Sequence, residues 1–145
     1  MKITTRIQYG IRFMINLAVA QEGEFVQLSK IVSREKVSLK YLENIVGLLR
    51  GSGLIQMKRG VKGGYRLSKP AKDISLRDVY IGLEGNEIIE FELDKASTDY
   101  VPGDKVLEIF VNDYRKVITT FLSSRSLEDL VNQYNKEQNQ TMFFI

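Results

Sequence analysis

Apolar residues recur at helical spacing from the start of the chain. Ile7, Ile11, Met14, Ile15, Ala18 and Val19 share one face, with Arg6, Gln8, Arg12 and Asn16 opposite. Thr4 or Thr5 can cap this first helix, and Glu22-Gly23-Glu24 ends it. After a short extended piece at Phe25-Val26, Leu28 to Arg34 reads as a short helix with Leu28, Ile31 and Val32 inward. Lys36-Val37 turns the chain. Ser38 then caps a third helix whose apolar face is Leu39, Leu42, Ile45, Val46 and Leu49, stopped by Gly51-Ser52-Gly53.

The period then changes. Leu54 to Arg59 and Tyr65 to Ser68 are short runs of strand formers around Gly60-Val61-Lys62-Gly63-Gly64. This predicts a β-hairpin in which Gly63-Gly64 supply the positive φ angles of a tight loop. Pro70 interrupts the chain. Ser75 caps a fourth helix with Leu76, Val79, Tyr80 and Leu83 inward and Arg77 and Asp78 outward, ending at Gly85-Asn86. From Glu84 to Asp104 seven acidic residues are met by one cation, Lys95, which predicts a loop closed by Pro102-Gly103. That loop lacks the alternating oxygen ligands and the glycine of a calcium site.

Asp104 can cap a long helix from Lys105 to about Leu122. Its apolar positions include Val106, Ile109, Phe110, Tyr114, Val117 and Phe121, a stripe wider than the roughly 100° that docks one helix on one core. A second subunit is the expected cover; burial inside a single core is the alternative. Ser126-Leu-Glu-Asp129 caps a last helix through Tyr134, Asn135 to Gln140 is expected to fray, and the apolar end Met142-Phe-Phe-Ile145 is expected to dock. The fold expected is mainly α with a small β-hairpin: a winged helix-turn-helix plus a long C-terminal dimerisation helix. The organisation expected is a DNA-binding domain at 1–85, an acidic loop at 86–103, and dimerisation helix, last helix and tail at 104–145.

Composition narrows the chemistry. Among 145 residues there is no cysteine, histidine or tryptophan. Disulfides, zinc sites of Cys or His type, thiolate-held iron–sulfur clusters and histidine-based nucleophilic catalysis are excluded. Nothing resembles a phosphate loop followed by Lys-Ser/Thr, so an enzyme is not expected, and neither a metal nor another cofactor. No apolar run approaches the roughly 20 residues that span a bilayer, and the N-terminus has no signal-peptide core, so a cytoplasmic protein is expected.

Charge is divided along the chain. Residues 1–72 hold fourteen Lys/Arg and four Asp/Glu; residues 73–145 hold seven and fourteen. No acidic residue stands between Glu43 and Asp73, where Lys58, Arg59, Lys62 and Arg66 crowd the hairpin. A basic half with a helix pair and wing points to double-stranded DNA, with the Ser38-capped helix in the major groove. Its exposed positions are Lys40, Tyr41, Glu43, Asn44 and Gly47. The alternatives are a solvated surface and a winged-helix protein-interaction module that does not read DNA.

Several segments together resemble the Rrf-two family of bacterial winged-helix transcription regulators. They are Met1-Lys-Ile-Thr-Thr-Arg-Ile-Gln-Tyr-Gly10, Ser38-Leu-Lys-Tyr-Leu-Glu43, Leu49-Arg50 with Gly53-Leu54, Arg59-Gly-x-x-Gly-Gly-Tyr65, Ile74-Ser75 with Asp78-Val79, and Leu83-Glu84-Gly85. The resemblance implies a homodimer with recognition helices in successive major grooves. It implies base contacts from Ser38, Lys40, Tyr41 and Glu43, with Asn44 alongside, and Arg59 in the adjacent minor groove. Lys62, Gly63, Gly64 and Arg66 are implied on the wing, and Lys2 and Thr4 at the N-terminus. Many family members carry three cysteines after the Leu-Glu-Gly segment and bind an iron–sulfur cluster there. This chain carries none, and its Met-aromatic-aromatic-Ile end resembles the cluster-free cysteine metabolism repressors, which implies a repressor with a regulatory partner protein such as cysteine synthase.

Overall fold

The computed structural model describes residues 3–85, 88–89, 91–94, 99 and 101–143. Six helices and one hairpin follow in the order α1 (Thr5–Ala18), α2 (Leu28–Glu35), α3 (Leu39–Gly51), β1 (Ile55–Lys58), β2 (Gly64–Leu67), a 3-10 turn (Ala71–Asp73), α4 (Leu76–Glu84), α5 (Pro102–Ser124) and α6 (Leu127–Phe143). The expected mainly helical winged helix-turn-helix is the architecture observed.

Local chemistry explains most boundaries. The Thr4 hydroxyl accepts from the Ile7 amide, and Ser38 Oγ accepts from the Tyr41 amide, each satisfying an orphan donor at a helix start. Ser75 and Asp78 form a full capping box, and Ser126 and Asp129 repeat it at the head of α6. The two heads pair: the Leu76 amide donates to Arg125 O at 2.9 Å and the Leu127 amide to Ile74 O at 2.8 Å. Leu127 is fully buried in the same core as Phe13, Ile45 and Leu49. The beginning of α6 is thus an integral part of the N-terminal core, although the chain reaches it only after α5.

Four sequence expectations need correcting. First, the buried face of α1 is Ile7, Gly10, Phe13, Met14, Asn16 and Leu17, so Asn16 is inside. Its carboxamide nitrogen donates to Arg12 O at 2.8 Å and Glu35 Oε1 at 2.7 Å, and its oxygen accepts from Arg34 at 2.9 Å. Arg12 completes the knot through Glu35 Oε2 at 2.9 Å and Glu35 O at 2.7 Å. Second, α5 starts at Pro102, with Asp104 inside its first turn. Proline suits that place because its missing N–H is one of the orphan donors and its φ is already helical. Third, α6 does not fray after Tyr134 but continues to Phe143, supported by Gln133–Glu137 and Gln138–Tyr134 side-chain bonds at i,i+4 spacing. Leu39, assigned to the inner face of α3, is also exposed.

The long apolar stripe divides as its width requires. Val111 and Leu122 are buried against the rest of the chain, while Val106, Ile109, Phe110, Val117 and Phe121 are between 51% and 67% exposed. Between Gly85 and Val101 the described residues form no helix or strand. Arg115 of α5 donates to Ile89 O at 3.1 Å and lies 6.0 Å from the Phe91 ring centre. Tyr80 is buried in α4; burial first, and the nearby Glu84 carboxylate second, push its hydroxyl above the ordinary tyrosine range. Among the described residues no helix is long and apolar enough to cross a membrane.

The Asn16 knot sets a stability test. Asn16→Ala leaves Arg34 and Glu35 without their buried partner and is expected to cost about 2–3 kcal/mol in urea unfolding. Asn16→Leu is expected to do no better, because an apolar side chain there still removes one partner each from Glu35 Oε1 and Arg34, although Glu35 keeps Arg12.

Candidate nucleic-acid interface

Two exposed features converge from the helix pair and the hairpin. In the first turns of α3, Ser38, Lys40, Glu43 and Asn44 are exposed, while Leu42, Ile45, Val46 and Leu49 on the other side are buried. Tyr41 is half-buried. Its ring packs edge-on against Tyr9 at 5.1 Å, and Arg12 lies over the Tyr9 ring at 5.6 Å. Tyr41 therefore also anchors α3 to α1. Lys36 carries φ 54 and ψ 48, a left-handed turn between α2 and α3 that redirects the chain.

The hairpin pairs Ile55 with Leu67, Gln56 with Arg66, Met57 with Tyr65 and Lys58 with Gly64. Its loop exposes Arg59, Val61 and Lys62. Among the described residues Arg59 and Lys62 form no ion pair. The expected loop glycines behave differently from one another. Positive φ falls at Gly60 (108°) and Gly64 (147°), so Gly63 does not supply it. Gly63 is buried, its amide donates to Gly60 O at 3.0 Å, and a side chain there would strike the Lys58 carbonyl. Gly64 is glycine because a Cβ would meet the Val26 carbonyl. Both shape the wing rather than present side-chain chemistry.

Arg66 is held across the hairpin, donating to Gln56 Oε1 at 3.1 Å with its guanidinium 4.5 Å from the Phe25 ring centre. Lys58 lies 5.6 Å from the same ring. Thr4 is engaged within the chain: its hydroxyl donates to Glu84 Oε1 at 2.5 Å, and Arg6 reaches Glu84 Oε2 at 3.2 Å. Lys2 lies outside the described residues. Sequence reasoning passed over Phe25 and Gln27. Only the short extended piece hinted at them: Val26 forms a two-bond bridge with Tyr65, at 2.7 and 2.8 Å, adding a third strand position to the hairpin.

This arrangement of helix pair and wing matches a known family. Residues 3–133 match the Rrf2 family, described as iron-dependent transcriptional regulators. The chain belongs to the Rrf2 family. It is 39% identical over 87 residues to protein rrf2 of Nitratidesulfovibrio vulgaris, a match that spans 60% of this chain and 58% of that protein. It is 36% identical over 134 residues to the HTH-type transcriptional regulator IscR of Photorhabdus laumondii, spanning 91% of this chain and 80% of that one. It is 34% identical over 149 residues to the HTH-type transcriptional regulator CymR of Bacillus subtilis, spanning the whole of both. The solved structure of CymR, the global cysteine regulator of B. subtilis, superposes with a TM-score of 0.72 at 32% identity, covering 92% of this chain and 98% of that one. This Rrf2-family chain is thus a DNA-binding helix-turn-helix transcription regulator and not an enzyme.

The glycine geometry ranks two substitutions in the Rrf2 wing. Gly64→Ala drives a methyl into the Val26 backbone at positive φ and is expected to cost more than about 2 kcal/mol. Gly60→Ala meets open space and is expected to cost only about 1 kcal/mol of backbone strain. Paired urea titrations of the two variants check the order.

Proposed function

We propose that this Rrf2-family protein is a homodimeric repressor that works without an iron–sulfur cluster. Ser38, Lys40, Tyr41, Glu43 and Asn44 read the major groove of double-stranded DNA, and Arg59 enters the neighbouring minor groove. The observation that carries the DNA-reading part is the pairing of an exposed, capped α3 start with a wing whose Arg59 and Lys62 form no ion pair within the described chain. A narrow minor groove concentrates negative potential and favours an inserted guanidinium. Glu43 can accept from a cytosine amino group and repels phosphate, so it acts on sequence preference more than on affinity. Lys62 and Arg66 add phosphate attraction, while Gly63 and Gly64 hold the wing in shape. Thr4 caps α1 and ties it to Glu84, and Lys2 extends the basic N-terminus.

The homodimer rests on α5. Val106, Ile109, Phe110, Tyr114, Val117 and Phe121 form an exposed apolar face on a helix whose other side is already docked. A second copy covers that face with its own, as two-fold symmetry requires. The family description names iron, but the donors of this chain do not fit a thiolate-held cluster. There is no cysteine or histidine anywhere in it. Among the described residues no three acidic side chains gather into a metal-binding group. The signal therefore enters by another route. Residues 135–142 of α6 are exposed, Met142 at 72%. That projection is the docking element for a regulatory partner such as cysteine synthase, in keeping with a cytoplasmic repressor; Phe144 and Ile145 lie outside the described residues.

On a DNA site enriched from a random library, Arg59→Ala is expected to weaken binding about tenfold or more. It should also reduce the slope of log affinity against log salt by about one. An unchanged slope contradicts the phosphate and minor-groove role. Phe110→Glu with Val117→Glu is expected to convert the dimer to a folded monomer in sedimentation equilibrium, with far-UV circular dichroism unchanged because both side chains are surface groups of the single chain.

A further inference from the structure

The wing is held to the helix pair from one short segment. The Phe25 ring faces the Arg66 and Lys58 cations, one from each strand of the hairpin. Val26 exchanges two backbone bonds with Tyr65 midway along β2. Gln27 Nε2 donates to Val61 O at 3.1 Å, at the loop tip. The three consecutive residues thus hold the hairpin along its strands and at its tip.

Gln27 has a second position that gives the grip its meaning. It is the N-cap residue of α2, yet its side chain makes no capping bond. A glutamine is too long for the usual cap, in which a short side-chain oxygen meets the amide two or three residues on. Here the side chain reaches 34 residues along the chain instead. The loop it reaches otherwise has one internal tip bond, from the Gly63 amide to Gly60 O. Val61 itself is 93% exposed and packs on nothing that could hold it. The five-residue loop 59–63, with positive φ at Gly60, has few contacts and many accessible shapes. The Gln27 bond restricts them where Arg59 and Lys62 leave the hairpin.

We infer that Gln27 is a positioning residue that ties the wing tip to the first helix of the helix-turn-helix, so that Arg59 is placed relative to α3 before DNA arrives. The inference rests on the DNA-reading proposal for its consequence, though not for its geometry. α2 packs against α3 and against α1, where the Asn16 knot holds its far end. A wing tied to the N-terminus of α2 is therefore tied to the reading helix. Preorganisation of this kind lowers the ordering cost of binding. It also makes the minor-groove and major-groove contacts depend on one another.

The test is a double-mutant cycle in the full chain with Gln27→Ala and Arg59→Ala, read on the enriched DNA site and on versions of it altered either under the wing or under α3. Gln27→Ala is expected to keep the melting temperature of the parent and to lose about three- to tenfold in affinity, the scale of one net hydrogen bond. Discrimination should fall at the base pairs under the wing and persist at those under α3. In the Arg59→Ala background the same change should have almost no further effect, because its action passes through Arg59. Equal losses in both backgrounds, or a uniform loss at all base pairs, would overturn the inference. Amide hydrogen exchange of residues 59–63 in the free protein gives a reading independent of DNA. Faster exchange in Gln27→Ala supports the tie, and unchanged exchange refutes it even if the parent protein selects no DNA site at all.

Discussion

Asn16 lies 1% exposed in the last turn of α1. It makes three polar contacts, two of them to residues at the end of α2. A buried amide that loses its partners costs more than it contributes when satisfied. The arrangement of α1 and α2 is therefore narrowly specified. Slipping the helices by one residue would leave Asn16, Arg34 and Glu35 unpaired together. Because Glu35 is the last residue of α2, the knot also fixes where the chain leaves that helix. Lys36 then turns through its left-handed conformation and Ser38 begins α3. The direction of α3 follows from a polar contact on its predecessor.

That frame separates what is satisfied inside the chain from what is left over. Among the described residues no buried side-chain nitrogen or oxygen lacks a partner. The surfaces left incomplete are the cationic wing tip and the start of α3, which suit phosphate and base edges, and the apolar side of α5, which suits a second copy. They lie on different elements and ask for different partners. The division of charge between the two halves of the chain reflects the same separation, with the basic half on the helix pair and wing and the acidic half beyond them.

Sequence periodicity revealed the helices because each has an apolar face that repeats within one window, and it located the hairpin because turn glycines and strand formers alternate there. It misplaced Asn16 on the outer face of α1. Its burial depends on Glu35 and Arg34, 19 and 18 residues away, and no local pattern carries that. Pro102 was read as the close of a loop when it opens α5, a case where the same residue serves both ends of an element. Polar residues after Tyr134 suggested fraying, but i,i+4 pairs sustain the helix without an apolar face. The exposure of the α3 start and of the wing tip, proposed as the interface, was legible from capping and charge. The distant bond of Gln27 was not, because an N-cap position predicts a local one.

The central claim is that the Ser38-capped helix and the Arg59 wing, duplicated by a two-fold axis through α5, read one DNA site. Selection from a random double-stranded library by the intact protein tests it most directly. The account predicts enrichment of an inverted repeat whose half-sites are centred about one helical turn, roughly 10 base pairs, apart, with constrained sequence or minor-groove width beside each half-site. Enrichment of nothing above background, or of a single asymmetric half-site, would contradict it.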